Sequence, residues 1–293
     1  MDGRQLAYYR STDPRHTLVG ALRAVVRCVR FGLAFVLLSA LTVASRALRS
    51  PRAHQRTGPA LRRLIGRTLC RAAGLRIPGF RRLRASLPAE VSLFVCNHIS
   101  WIDSFVLAAV LGTRFVVAET WRDVPVLGTI LRAGGNLFID RRRVSDLKRV
   151  GRRLTPLLAG GDRTTIFPEA GTGWGDRLRP FHAALLEPAA VGELPFGWLA
   201  LRYELPPGWP PTGVVMGWED WTPIWLKIFR DLHPRWVRAR LVVGREPVVA
   251  RNRRELAAVL RDRISHHLVP LEIYPPAEMA RITCPRSRWY RRG

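Results

Sequence analysis

Apolar and polar positions divide the chain into two textures. From Phe31 to Ser45 it reads FGLAFVLLSALTVAS, fifteen residues without a charge. As a helix this run is about 22 Å long, short of the ~30 Å hydrocarbon core of a bilayer. Extending it back to Leu18 brings in Arg23, Arg27 and Arg30, spaced four and three apart along one face. Each arginine at a bilayer centre costs ~2.5–3.5 kcal/mol, less near the ends. The pattern predicts a helix lying in the interface or half inserted rather than a clean span. Arginines flank both ends, so charge asymmetry sets no orientation. A second segment, Thr57–Leu75, places Leu61, Leu64, Ile65 and Leu69 on one face and Arg62, Arg63, Arg67 and Arg71 around the remainder. Such a basic amphipathic helix suits either an anionic membrane surface or a face packed on the domain.

After about residue 85 the period changes. VSLFVC (Val91–Cys96), RFVVA (Arg114–Ala118), NLFID (Asn136–Asp140) and TTIF (Thr164–Phe167) read as strands. Between them lie helical stretches over Trp101–Leu111, Thr129–Arg132 and Asp146–Leu158. VVMGW (Val214–Trp218) and RARLVVG (Arg238–Gly244) read as later strands and Arg253–Leu268 as a closing helix. This alternation predicts an α/β domain, a sheet covered by helices. The expected organisation is a membrane-associating helical region over 1–84, a catalytic domain over 85–275 and a basic tail over 276–293.

Charge narrows the partners. The 293 residues carry 48 Lys+Arg against 22 Asp+Glu, a formal charge of +26, and only Lys148 and Lys227 are lysines. Between Pro14 and Ala89 there are sixteen arginines and no acidic residue. Such a field points to anionic partners: nucleic acid, anionic lipid, or phosphate-bearing and acidic carrier substrates. With 47% hydrophobic residues and ten Trp, the chain is no disordered basic tail. Cys28, Cys70, Cys96 and Cys284 lie far apart without metal spacing, which argues against a disulfide scaffold or structural zinc and for a reducing compartment. The start, MDGRQLAYYRSTDPRH, is too polar for an ordinary secretory signal.

Three stretches carry candidate chemistry. In NHISWID, His98 and Asp103 are five apart, about 500° of helical rotation, so they meet only if His98 sits in the loop after the strand and Asp103 in the first helical turn. Ser100 offers the N-cap that this break needs. Asp103 would then orient the imidazole while its other nitrogen faces a substrate hydroxyl. Ser100-x-x-Asp103 is also a capping-box spacing, so the carboxylate has a structural use as well. In FPEAGTGWGDRLRPF, a strand runs into Glu169 and a turn rich in glycine (Gly171, Gly173, Gly175), which suits an anionic group or is a plain loop. In FIDRRR, Arg141 at a strand end would hold a phosphate bidentately or belong to a solvated charge run. Cys96, ending an apolar strand, reads as buried rather than nucleophilic. Trp218, Trp221 and Trp225, at helical spacing, fit either a core or a membrane-interface belt.

Taken in order and spacing, these stretches resemble the 1-acylglycerol-3-phosphate acyltransferase family, known by NHxxxxD, GxxFIxR-type and FPEG(T) blocks. Here the blocks read Asn97–Asp103, Gly135–Arg141 and Phe167–Thr172. AETWRDVPVLGTILRAGG resembles the linker between the first two, and RLRPFHAALLEPA the segment after the third, with His182 where lysine is common. ALRYE and WEDWTPIWLKIFRDL resemble the bacterial lyso-ornithine-lipid acyltransferase branch. Ala170-Gly171 replaces the usual Gly-Thr, and Trp198 stands where a proline usually precedes the strand leading to Tyr203. The resemblance covers roughly Val91–Leu268.

The resemblance implies a glycerolipid acyltransferase-like mixed sheet with N-terminal membrane-associated helices. It implies His98 as general base with Asp103 as partner, and direct attack of an acceptor alkoxide on the thioester of acyl-CoA or acyl carrier protein. Arg141 and Glu169 would bind the acceptor head group, with Gly171 and Thr172 shaping the pocket. No cofactor or metal is expected. The expected partners are a lysolipid acceptor, foremost 1-acylglycerol-3-phosphate or alternatively lyso-ornithine lipid, and an anionic membrane surface, with no nucleic acid. The expected location is the cytoplasmic face of the inner or plasma membrane. A competing class is a non-enzymatic basic protein that binds polyanions in a salt-sensitive way.

Overall fold

The computed structural model describes residues 18–268, apart from 49, 141–142, 188–189, 191–193, 208, 210–211 and 219–222. Two long helices come first, α1 (Leu18–Leu48) and α2 (Pro51–Ala72). The Ser50 hydroxyl caps α2 by accepting from the Ala53 N–H at 3.3 Å, ahead of a proline in the first turn.

The thirty-one residues of α1 are long and apolar enough to cross a bilayer, which the fifteen-residue run alone is not. One face is nevertheless docked. Phe31 is buried edge-on against Trp101 at 5.4 Å and beside Phe105 at 5.8 Å. Arg27 donates to the carbonyls of Leu232 (3.0 Å), Pro234 and Arg235 (2.9 Å). The opposite face presents Leu22, Val26, Val29, Leu33, Val36 and Leu37 at 47–70% exposure.

Helix α2 packs on α4 (Asp103–Leu111), the second of the two uses its pattern allows. Its buried stripe is shifted from the leucine face: Leu69 is buried and Leu61 and Ile65 are half-buried, but Leu64 is exposed and Arg62, Gly66 and Cys70 turn inward. Gly66 permits the contact, because a Cβ there would lie 2.4 Å from the Ala109 nitrogen. Arg62 is buried because it has partners: it donates to the Gly112 carbonyl at 2.8 Å and pairs with Asp162, which also holds Arg114. Burial lowers the Arg62 guanidinium to about 10 against the opposing pull of Asp162.

Beyond α2 come β1 (Leu75–Arg76), α3 (Phe80–Ala85), β2 (Leu93–Cys96) and, after α4, β3 (Arg114–Ala118), α5 (Leu127–Ala133), β4 (Leu137–Ile139), α6 (Val144–Ala159) and β5 (Thr164–Ile166). The chain continues through β6 (Phe196–Glu204), α7 (Thr212–Met216), α8 (Ile224–Asp231), β7 (Val237–Val243) and α9 (Arg253–Ser265). The seven strands form one sheet in the order β1-β7-β6-β2-β5-β3-β4, parallel except for the β6–β7 pair. Strand alternation divides the core between its faces. Phe94 and Cys96 of β2 join Leu199, Leu201 and Tyr203 of β6 on the face that α2 and α4 cover. Leu93 and Val95 join Phe196, Ala200 and the α6 and α9 side chains Leu154, Leu256 and Leu260 on the other. Because β5 inserts between β2 and β3, the carboxyl ends of β2 and β5 open side by side, where α/β sheets place ligands.

Two expectations are corrected. Val214–Trp218 is no strand: its first residues belong to α7, and the Trp218 N–H bonds the Ile99 carbonyl at 3.2 Å. A five-residue apolar run carries too little periodicity to separate the two states. The pattern also missed α8, which starts after Pro223 and leaves Trp225 exposed; Trp221 lies outside the described residues. The expected boundary between 84 and 85 falls inside α3, and the tail at 276–293 lies outside the described residues.

Candidate active site

Cys96 is the last residue of β2, and Asn97 continues its pairing with the side chain instead of the backbone. Asn97 Nδ2 donates to the Leu201 carbonyl at 2.8 Å, and Asn97 Oδ1 accepts from the Leu201 N–H at 2.7 Å. The main chain is thereby released to turn, and His98 stands in the loop. Asp103, completely buried, opens α4, and its Oδ2 lies 2.8 Å from His98 Nδ1. Sequence separation and structure agree here: the break between strand and helix brings the two together.

The Asp103 carboxylate serves both of its predicted uses. Oδ2 also accepts from the backbone N–H groups of Ile99 (2.6 Å) and Ser100 (2.9 Å), closing the loop over the helix start. Oδ1 accepts from the Tyr203 hydroxyl at 2.5 Å. Ser100 itself does not cap α4, whose N-cap is Ile102; its hydroxyl points 3.3 Å from Asp231 Oδ2. Burial and the adjacent Asp103 charge hold the Tyr203 phenol well above its ordinary range, so it remains a donor. With Nδ1 committed to Asp103, the basic nitrogen of a neutral His98 is Nε2. The ring plane is fixed by stacking on Phe167 at 4.0 Å, and Phe167 stacks in turn on Phe115 at 5.8 Å. The His98 side chain keeps 20% exposure, enough for a substrate to reach it.

Glu169 connects this loop to the third block. Only 4% exposed, it accepts from the His98 N–H through Oε1 at 2.8 Å and from the Arg179 N–H through Oε2 at 2.9 Å. The Gly173 N–H returns a bond to the His98 carbonyl at 2.8 Å. Both Glu169 oxygens therefore hold backbone and tether the His98 loop. Burial pushes its carboxyl up to about 7 from 4.5, opposed by the two N–H bonds and by nearby His98 and Arg179. A carboxyl raised in the folded state withdraws stability as pH climbs from about 4.5 to about 7. Relative to Glu169→Gln, the wild type is expected to lose up to about 3 kcal/mol across that window in denaturant unfolding. A difference that stays flat with pH would contradict this environment.

Ala170 adopts φ 61°, the left-handed region that costs a residue with a Cβ roughly 1–2 kcal/mol. This is the first position at which the third block departs from the family pattern, which has glycine there. Ala170→Gly is expected to raise unfolding stability by about 0.5–1 kcal/mol, the rest offset by the freer unfolded chain. A lower denaturation midpoint would contradict it. The Thr172 hydroxyl donates to the Trp218 carbonyl, and Gly171 lies against the Arg179 guanidinium, which a Cβ would approach to 2.9 Å. Arg141 lies outside the described residues; β4, which leads to it, ends at Ile139. Cys96 is fully buried with its thiol pushed well up, first by burial, as expected of a packing residue. Among the described residues no group of His, Cys, Asp and Glu is placed to hold a metal ion.

Pattern reading missed Tyr203, Lys227 and Asp231 as site-building residues. The available signal for the last two was a lysine in an arginine-dominated chain with an aspartate four residues on.

The chain matches the Acyltransferase family model over residues 81–196. It is 35% identical over 111 residues to a 1-acyl-sn-glycerol-3-phosphate acyltransferase of Neisseria gonorrhoeae, covering 38% of this chain and 44% of that one. It is 33% identical over 122 residues to a lyso-ornithine lipid O-acyltransferase of Pseudomonas aeruginosa (42% and 47% of the two chains). A Rhodobacter capsulatus protein of the same description is 30% identical over 177 residues (59% and 62%). The matched part thus spans about half the length of the first of these relatives. In fold, the chain is similar to the crystal structure of the 1-acyl-sn-glycerophosphate acyltransferase PlsC from Thermotoga maritima, with TM-score 0.60 and 15% identity over 84% of this chain and 95% of that one.

Proposed function

We propose that the chain is a membrane-associated O-acyltransferase that moves a fatty acyl group from acyl-CoA or acyl carrier protein to the hydroxyl of a lysolipid. The observation that carries this reading is the His98–Asp103 pair, fixed on the carboxyl end of β2 with Nε2 left for substrate. His98 Nε2 takes the proton of the acceptor hydroxyl, and the oxygen attacks the thioester carbonyl. A C–O bond forms, the C–S bond breaks, and the proton on His98 returns to the departing thiolate. Asp103 supports the imidazolium that exists in between, as a buried carboxylate beside a histidine does in other general-base pairs. Arg141 and Glu169 bind the acceptor head group, and Gly171 and Thr172 shape its pocket. Strand spacing puts the end of β4 three steps, about 14 Å, from β2, a span suited to an extended acceptor rather than a small one.

The apolar face of α1 lies in the interface while its other face stays docked beside the His98 loop, so a lysolipid reaches the base without leaving the bilayer. The arginine-rich surface draws this face to anionic lipid on the cytoplasmic side, where acyl thioesters are found. The preferred acceptor is 1-acylglycerol-3-phosphate. Lyso-ornithine lipid is the second reading, favoured by the longer matches to lyso-ornithine lipid enzymes.

Membranes bearing the protein, given oleoyl-CoA and either lysophosphatidate or lyso-ornithine lipid, test this reading. Phosphatidate as the faster product supports the first acceptor, and ornithine lipid the second. Failure with both acceptors and with both oleoyl-CoA and oleoyl-acyl carrier protein overturns the reading.

A further inference from the structure

We propose that Asp231, at the end of α8, is a positioning residue that holds the His98 loop through Ser100 and Trp101; the proposal rests on the acyltransferase reading. Its side chain is completely buried and out of reach of any substrate. Oδ2 accepts from Trp101 Nε1 at 2.8 Å and from the Ser100 hydroxyl at 3.3 Å, the two residues midway between His98 and Asp103. Oδ1 pairs with Lys227 Nζ at 2.5 Å, one helical turn back and itself 1% exposed. Lys227 also donates to the Val215 carbonyl at 2.6 Å, so the pair is anchored to α7 as well as α8.

A buried ion pair is a poor device for stability, since apolar residues of similar volume usually serve as well or better. What an apolar pair cannot do is accept two hydrogen bonds from the loop. The loop needs such a fixture because three consecutive residues, Ile99, Ser100 and Trp101, carry the turn that brings His98 back to Asp103. The Ile99 carbonyl is held by the Trp218 N–H, and the backbone N–H groups of Ile99 and Ser100 by Asp103. Asp231 adds the outward side of the turn. The residues that follow it extend the same bracket to α1: the carbonyls of Leu232, Pro234 and Arg235 receive Arg27, and Phe31, one turn on, leans on the Trp101 ring. One turn of chain, Asp231–Arg235, thus joins the catalytic loop to the helix that faces lipid. A misplacement of about 1 Å in such a loop is enough to cost about 10²-fold in rate.

Two double variants separate positioning from packing. Asp231→Asn with Lys227→Met removes both charges and keeps an acceptor for Trp101 and Ser100. Asp231→Leu with Lys227→Met fills the same space and accepts nothing. Their kcat, KM and melting temperature are compared with those of the wild-type protein in vesicles, with lysophosphatidate or lyso-ornithine lipid, whichever the wild type uses. The Leu/Met protein is expected to melt somewhat below the wild type, because the Ser100 hydroxyl and Trp101 N–H lose their acceptor, to keep its KM, and to lose about ten- to a hundredfold in kcat. The Asn/Met protein recovers most of that loss. Trp101→Phe, which removes the indole N–H with part of the ring that packs on Phe31 and Phe105, lowers kcat in the same direction and serves if the Leu/Met protein does not fold. Equal turnover in both double variants, or a loss carried by KM alone, overturns the proposal. A wild type inactive with both acceptors overturns the acyltransferase reading instead.

Discussion

His98→Ala is expected to slow acyl transfer by at least a hundredfold while leaving the melting temperature and vesicle binding close to wild type. General-base assistance is worth ~10²–10⁴ in rate, or about 3–5 kcal/mol in the barrier. The side chain sits at the rim, stacked on Phe167, so little packing goes with it. Asp103→Asn is expected to lose activity on the same scale. The amide oxygen still accepts from His98, Ile99 and Ser100 while its N–H₂ donates to the Tyr203 hydroxyl, so the loss comes from the missing charge: the imidazolium formed in the step has no buried carboxylate to support it. Single-turnover assays with saturating acyl donor read the chemical step directly. Retention of a third or more of the wild-type rate in His98→Ala removes His98 from the role of base, and in Asp103→Asn removes Asp103 from the role of its partner.

The largest stability effect is expected at a distance from the chemistry. Asp162 holds Arg62 of α2 and Arg114 of β3, and all three side chains are at most one-tenth exposed. Asp162→Ala leaves two buried guanidinium groups facing each other without a counter-charge, and is expected to destabilise by about 3–5 kcal/mol. Urea unfolding followed by circular dichroism measures this. Removing Arg62 as well, by Arg62→Met in the same chain, recovers a part, because one of the stranded charges is gone and the α2 stripe becomes apolar. If the single variant costs under 1 kcal/mol, the three groups are not the closed unit described here. This cluster is one of the links between α2 and the sheet, beside the Gly66 contact with α4 and the buried Leu69 and Cys70.

Much of the domain was legible along the chain for a common reason. β2, β3, β4 and β5 lie where short apolar runs meet helical stretches, and the observed ends differ from the expected ones by no more than two residues. The His98–Asp103 pairing was equally legible, because the geometry that joins them is local: a strand end, a turn and a helix start within seven residues. Glu169 was legible as a candidate, but its backbone partners were not. Its N–H partner on His98 lies 71 residues away, and nothing in FPEAGTG tells whether the carboxylate faces solvent, ligand or backbone. Tyr203 and Asp231 reach the loop from 100 and more positions on, and in a chain so rich in arginine the buried Arg62 and Arg114 looked like their neighbours.

The sequence by itself determined the period of each long element, the break that sets His98 beside Asp103, the apolar stripe of α1 and the arginine excess that favours anionic partners. These depend on residues within a few positions of one another, or on composition. The tertiary structure decided the strand order that opens β2 beside β5, the face on which α2 is buried, the inward turn of Glu169, and the meeting of Tyr203 and Asp231 around one loop. Those outcomes depend on which distant groups can satisfy a buried donor or acceptor, and only a closed core makes that satisfaction obligatory.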